Sequence, residues 1–146
     1  MGKQMVYFED VNTGDEIPSL TKDAIQKLQL VLYCGASYDH NPIHVVEDFA
    51  KAAGYPSTFA HGMLSMGFTG QLLGAWLPHN SMLKKLNVRF SAITFPGDVV
   101  TCRGKISKKY TENGQNFVEL EIWVEKQDGA KTITGSALVT LPSKNT

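Results

Sequence analysis

"GMLSMGFTGQLLGAWL", residues 62–77, is the stretch on which the fold turns. It is almost wholly apolar, but it is too short to span a bilayer and it contains Gln71. At this length a buried core helix accounts for it better than a membrane span. The helix is expected over residues 61–77, with Pro78 ending it. Gly67, Gly70 and Gly74 lie inside it, and each costs about 1 kcal/mol relative to Ala. Close packing against another backbone would offset that cost. A helix that is apolar all round must be covered on all sides.

Downstream, the hydrophobic period changes from that of a helix to that of a strand. "LNVRFSAITF" (86–95) alternates Leu86, Val88 and Phe90 against Asn87, Arg89 and Ser91, and "PGD" (96–98) reads as a turn. Strand signals continue through "VVTCRGKISKKY" (99–110). Asn113-Gly114 is a strong hairpin signal. In "FVELEIWVEK", Val118, Leu120, Ile122 and Val124 alternate with Glu119, Glu121, Trp123 and Glu125. Asp128-Gly129 turns the chain again before "KTITGSALVTL". Helices followed by an antiparallel meander make an α+β domain. A curved antiparallel sheet wrapped around residues 61–77, with one polar face, would cover the apolar helix.

Upstream, "FEDVNTGDEIP" (8–18) reads as a strand and turn. A helix is expected from about Thr21, capped by Thr21 and favoured by Asp23 at its positive end. Ile25, Leu28, Leu32 and Ala36 would form its apolar face. "DHNPIH" is a loop shaped by Pro42. "VVEDFAKAAG" is a short helix stopped by Gly54.

The length of 146 residues suits one domain, residues 1–146, with one core. A formal net charge of zero argues against nucleic acid held on a broad basic face. The two cysteines, Cys34 and Cys102, make no disulfide framework and no zinc spacing, so a reducing compartment is expected. "MGKQMVYFED" lacks a secretory apolar region and fails the myristoylation pattern, so the expected location is the cytoplasm, with no membrane partner.

The chemistry-bearing side chains gather in residues 38–63. Asp39 and His44 stand five apart across the Pro42 loop. A carboxylate and an imidazole held together can activate one water and trade a proton near neutral pH. Alternatively, Asp39 caps a turn and His44 caps the next helix. Gly62 opens the apolar helix, whose first N–H groups have no internal partner. Gly62 N–H, with Met63 N–H behind it, could donate to a carbonyl gaining negative charge, or Gly62 could only relieve a tight helix start. His61 orients the loop or is a satisfied structural histidine. His40 and His79 are expected to be exposed. No metal-ligand pattern, serine nucleophile elbow, phosphate loop or dinucleotide fingerprint is present. Lys84, Lys85 and Arg89 form a basic group that could meet the phosphates of a bulky carrier, or could be a solvated face.

Taken together, "ASYDHNPIHVVEDFAKAAGYPSTFAHGMLSMG" resembles the signature of the MaoC-like, R-specific enoyl-thioester hydratases, through Asp39, Asn41-Pro42, His44, the Ala50–Gly54 helix end and His61-Gly62-Met63. "FEDVNTGDEIP" and "VRFSAITFPGD" extend the likeness over nearly the whole chain. The resemblance implies a hot-dog fold, a sheet wrapped around one helix. It implies dimers, either of identical chains or with a related subunit. It also implies hydration of an enoyl thioester or the reverse dehydration. Asp39 and His44 would then be the catalytic pair, and Gly62 N–H would hold the thioester carbonyl. Asn41, His61, Met63, Lys84, Lys85 and Arg89 make up the expected substrate-binding set. No cofactor is expected beyond coenzyme A or acyl carrier protein as the substrate's carrier. Two rivals remain: a hot-dog thioesterase, and an acyl-thioester-binding subunit without chemistry. Met63, Met66, Phe68, Leu72 and Trp76 would line an acyl tunnel or simply form core.

Overall fold

The computed structural model describes residues 5–144. The first residues of the chain, read above against the myristoylation pattern, lie outside that range. The described chain runs through β1 (Leu20–Thr21), α1 (Lys27–Ser37), α2 (Glu47–Ala52), α3 (Gly62–Trp76), β2 (Met82–Phe90), β3 (Val100–Glu112), β4 (Gln115–Lys126) and β5 (Lys131–Thr140). The five strands form one antiparallel sheet in the order β1-β3-β4-β5-β2. This is an α+β fold in the hot-dog arrangement, with α3 laid on the inner face of the sheet. No helix among the described residues is long and apolar enough to cross a membrane.

The period-2 pattern sets the register. Val118, Leu120, Ile122 and Val124 of β4 are all fully or almost fully buried. They meet inward residues on both neighbours: Leu120 lies between Ile106 and Ala137, and Val124 between Cys102 and Ile133. A one-residue slip would turn this whole row to solvent. Asn113 and Gly114 both have positive φ (49° and 74°), as a tight β3–β4 hairpin turn requires. Gly135 allows a close approach of strands, since a Cβ there would stand 2.0 Å from the Asn87 carbonyl oxygen of β2. The "PGD" turn closes through Phe95 N–H donating to Asp98 Oδ2 at 2.8 Å.

The structure departs from the sequence-based expectation at several elements. Residues 8–18 form no strand: a 3₁₀ turn covers Phe8–Asp10, and a single bridge joins Glu16 to Lys105. α1 begins at Lys27, because the sheet captures the segment before it. Lys22 N–H donates to Val100 and Ile25 N–H to Asp98, both at 2.9 Å. Thr21 Oγ1 meets Thr101 Oγ1 at 3.0 Å instead of capping a helix. The buried face of α1 is therefore Leu30 and Cys34, while Leu28 (64%) and Leu32 (66%) are exposed. The strand expected over 86–95 instead spans 82–90, because the chain leaves the sheet so that Thr94 can accept from Ala60 N–H at 2.8 Å.

α3 is also not covered on all sides. Leu64, Phe68, Leu72, Leu73 and Trp76 enter the core. Met63 is exposed, and a Cβ at Gly67, Gly70 or Gly74 would meet nothing within 4 Å. The close backbone contact expected at these glycines does not occur within this chain. Phe68, Leu72 and Trp76 are core residues, as one of the two sequence readings had it.

Candidate active site

The end of α1, the Pro42 loop and the start of α3 meet at one point. α1 stops at Tyr38, which takes a left-handed conformation (φ 60°) and sends the chain out of the helix. Asp39 follows directly. Its Oδ1 accepts from Asn41 N–H at 3.3 Å, a local turn of the kind Asp favours. Asn41 Oδ1 in turn accepts from Ile43 N–H at 3.1 Å and caps a 3₁₀ turn over Pro42–His44, with Pro42 at its first position. Asn41 thus shapes the loop that carries His44.

The half-buried His44 is fixed by a backbone group. Its Nδ1 lies 2.8 Å from the Phe59 carbonyl oxygen. A carbonyl only accepts, so Nδ1 carries the hydrogen and, in the neutral ring, Nε2 keeps the lone pair. This bond fixes the tautomer that makes His44 Nε2 a proton acceptor. The Phe59 ring meets the imidazole edge-on at 5.2 Å.

His61 stacks on His44, with ring centroids 3.7 Å apart and planes tilted by 25°. It is only 2% exposed, and the Tyr33 ring contacts it edge-on. His61 Nε2 lies 3.3 Å from the Asp39 backbone oxygen and 3.5 Å from Cys34 Sγ. His61 Nδ1 is buried and has no hydrogen-bond partner. Burial is the main cause holding the His61 pKa below the usual imidazole value. The Asp39 backbone oxygen opposes that shift, His44 adds to it, and the Asp39 charge opposes it in turn. Burial, and then the Asp39 charge, push the Cys34 thiol up, so it is a poor nucleophile. One ligand-capable atom from each of Asp39, His44 and His61 lies within 4.8 Å of the other two.

Gly62 is the first residue of α3, directly after His61. Helix geometry leaves its N–H and that of Met63 without an intrahelical acceptor, at the positive end of the helix dipole. A Cβ on Gly62 would come within 3.1 Å of the Phe90 ring, so the glycine lets the aromatic lie against the helix start. A cavity of about 180 Å³ opens there, lined among others by Phe59, Ser65, Phe90, Ile93 and Thr94. A carboxylate and an imidazole lone pair held close together can activate a water, and an open helix N-terminus can meet an oxygen that gains negative charge.

The remaining sequence candidates are placed elsewhere. Lys85 and Arg89 alternate with Leu86, Val88 and Phe90 on β2. Leu86 and Val88 pack against the core, so Lys85 and Arg89 lie on the outer face of the sheet. Lys84 is exposed at a register shift between Leu83 and Lys85. The fold does not bring these cations to the cluster of Asp39, His44 and His61. His40 and His79 are exposed, as expected. A larger cavity of about 530 Å³ lies at the opposite end of α3, beside Trp76. Two of its carboxylates are engaged, Asp10 by Tyr7 N–H and Lys144, and Asp15 by Asn12 N–H.

The chain is similar to known proteins over most of its length. It is 34% identical over 139 residues to an "(R)-specific enoyl-CoA hydratase" of Rhodospirillum rubrum, covering 94% of this chain and 93% of that protein. It is 26% identical to a "3-hydroxybutyryl-CoA dehydratase" of Methylorubrum extorquens, over 97% of this chain and 87% of the relative. Among solved structures, an (R)-hydratase from A. caviae involved in PHA biosynthesis superposes with a TM-score of 0.80 at 27% identity, covering 92% of this chain and 99% of that one. The family described as "MaoC like domain" matches residues 10–127, and with that match over most of its length, the chain belongs to the MaoC-like family.

Proposed function

We propose that the protein hydrates trans-2-enoyl thioesters to (R)-3-hydroxyacyl thioesters, with dehydration as the reverse reaction. The observation that carries this reading is the His44 Nδ1 contact with the Phe59 carbonyl, which leaves the His44 Nε2 lone pair free in a ring clustered with Asp39 and with His61, the residue directly before Gly62. The likeness to a hydratase over nearly the full length of both chains supports the same class of substrate.

In this mechanism, Asp39 and His44 hold one water over the β-carbon. As the water oxygen bonds to that carbon, His44 Nε2 takes one of its protons. The π electrons move towards the carbonyl, and the oxygen that gains charge is met by Gly62 N–H. The pair then returns a proton to the α-carbon, so the atoms of one water are added in total. General acid–base catalysis contributes typically about 10²–10⁴-fold. One oxyanion donor contributes about 10²–10³-fold. The thioester already activates the double bond, so the reaction draws on no cofactor. Coenzyme A or an acyl carrier protein enters only as the carrier.

We further propose that the protein pairs as a homodimer. The exposed Met63, Met82, Leu83 and Phe90 lie on the start of α3 and on β2, a nine-residue strand at the edge of the sheet. An edge strand of this length, carrying apolar residues, pairs readily with another chain. Sedimentation is expected to give twice the chain mass of 16.1 kDa, and a monomer at micromolar concentration would contradict the dimer. The catalytic reading is tested with crotonyl-CoA. Loss of the conjugated enoyl absorbance without release of free thiol is expected. Thiol release from a saturated acyl-CoA, with no hydration, would instead make the protein a thioesterase.

A further inference from the structure

We infer that Asp39, His44 and His61 also form a binding site for a divalent transition-metal ion of the zinc type, and that the ion, once bound, blocks the site. The binding stands on geometry alone, and the inhibition rests on the proposed hydratase reading.

The three donors come from different parts of the chain, and D-x-x-x-x-H followed by a distant histidine is no recognised ligand spacing. The fold nonetheless brings one ligand-capable atom of each residue to within 4.8 Å of the others. Two neutral imidazoles and one carboxylate are a donor set that zinc and its neighbours take readily. Magnesium and calcium prefer all-oxygen shells. His61 also carries a ring nitrogen without a partner. Its Nε2 faces a backbone carbonyl oxygen, which can only accept, so Nε2 carries the hydrogen and Nδ1 the lone pair. That Nδ1 is buried without a partner on a ring that is 2% exposed. An orphaned buried nitrogen is costly, and a cation is one way to satisfy it.

Donors around zinc at about 2.0–2.2 Å sit roughly 3–3.5 Å apart, closer than the present spread. The exposed Asp39 carboxylate, held only by the 3.3 Å contact from Asn41 N–H, can supply that movement. The stacked rings must also splay for their lone pairs to converge, so this site is weaker than a structural zinc centre. An ion so held would engage the carboxylate and the ring that otherwise act on water. Binding and catalysis would therefore exclude each other.

The test uses the untagged full-length protein. Equilibrium dialysis against Zn²⁺ near neutral pH, followed by metal analysis, is expected to retain about one ion per chain. Co²⁺ in its place should give the visible absorption of a nitrogen- and oxygen-ligated ion. Nitrogen NMR of the wild type should show Zn²⁺ shifting the rings of His44 and His61 while the exposed His40 and His79 stay put. Asp39→Asn and His61→Gln should each weaken retention by about tenfold or more. If His61→Gln does not fold, the wild-type cobalt spectrum and ring shifts still decide. No retained ion, or shifts confined to His40 and His79, overturns the site. Zinc should also stop crotonyl-CoA hydration, and a chelator should restore it. Zinc bound at these rings in a protein whose metal-free form never hydrates crotonyl-CoA would sink the hydratase reading and leave the metal site standing. Turnover that zinc leaves untouched would overturn the inhibition.

Discussion

Asp39→Asn is expected to lower kcat/KM for an enoyl thioester by about 10³-fold, within the usual range for a lost acid–base group, while the fold stays intact. The two halves of that expectation rest on different observations. Asparagine keeps the shape of the side chain, and its amide oxygen can still accept from Asn41 N–H, the contact that Asp39 Oδ1 now makes at 3.3 Å. Asp39 is exposed and carries no core packing, so Tm should move by no more than about 2 °C. The substitution removes the negative charge and the basicity beside His44. Steady-state kinetics and a thermal melt on the same preparation separate the two effects. A folded variant with the wild-type rate would remove Asp39 from the mechanism.

Gly62→Pro is expected to lower kcat by about 10²–10³-fold through loss of one carbonyl donor. Proline has no N–H, but it suits the first position of a helix, and Gly62 opens α3. His61 already has φ −57° and ψ 134°, an extended conformation of the kind a residue before proline adopts. The added ring atoms meet Phe90, whose ring would stand 3.1 Å from a Cβ at this position. Phe90 is 48% exposed and can give by a few tenths of an ångström. Gly62→Ala imposes the same crowding but keeps the N–H, so it should retain most of kcat. A folded proline variant with unchanged kcat, or an alanine variant that falls as far, would show that the donor does not matter.

The parts of the site that were legible in the sequence are those encoded locally. Asn41-Pro42 announces a stiff loop, and Asn41 caps it with its own side chain. Gly62 at the start of an apolar run announces an open helix N-terminus. The strand pattern of residues 118–125 and the Asn113-Gly114 turn place β4 and its hairpin without ambiguity.

What was not legible depends on groups far away in the chain or on the backbone. The helical period from Ile25 to Ala36 was real, but β3 holds the backbone of Lys22 and the residues before β3 hold that of Ile25. α1 therefore starts later and buries Leu30 and Cys34 instead. His44 owes its tautomer to the Phe59 carbonyl, a group every residue type carries and no side-chain pattern reveals. The His44–His61 stack joins residues 17 positions apart and follows from where α3 begins, not from either histidine's neighbours. Lys85 and Arg89 looked like a carrier site beside the apolar helix, yet strand alternation alone puts them on the far face.

The most direct test of hydratase chemistry is the product that the wild-type protein makes from crotonyl-CoA, resolved by chiral analysis of the 3-hydroxyl group together with a free-thiol assay. The expected product is (R)-3-hydroxybutyryl-CoA with the thioester intact. The S product, or free coenzyme A without a hydroxylated thioester, would contradict it.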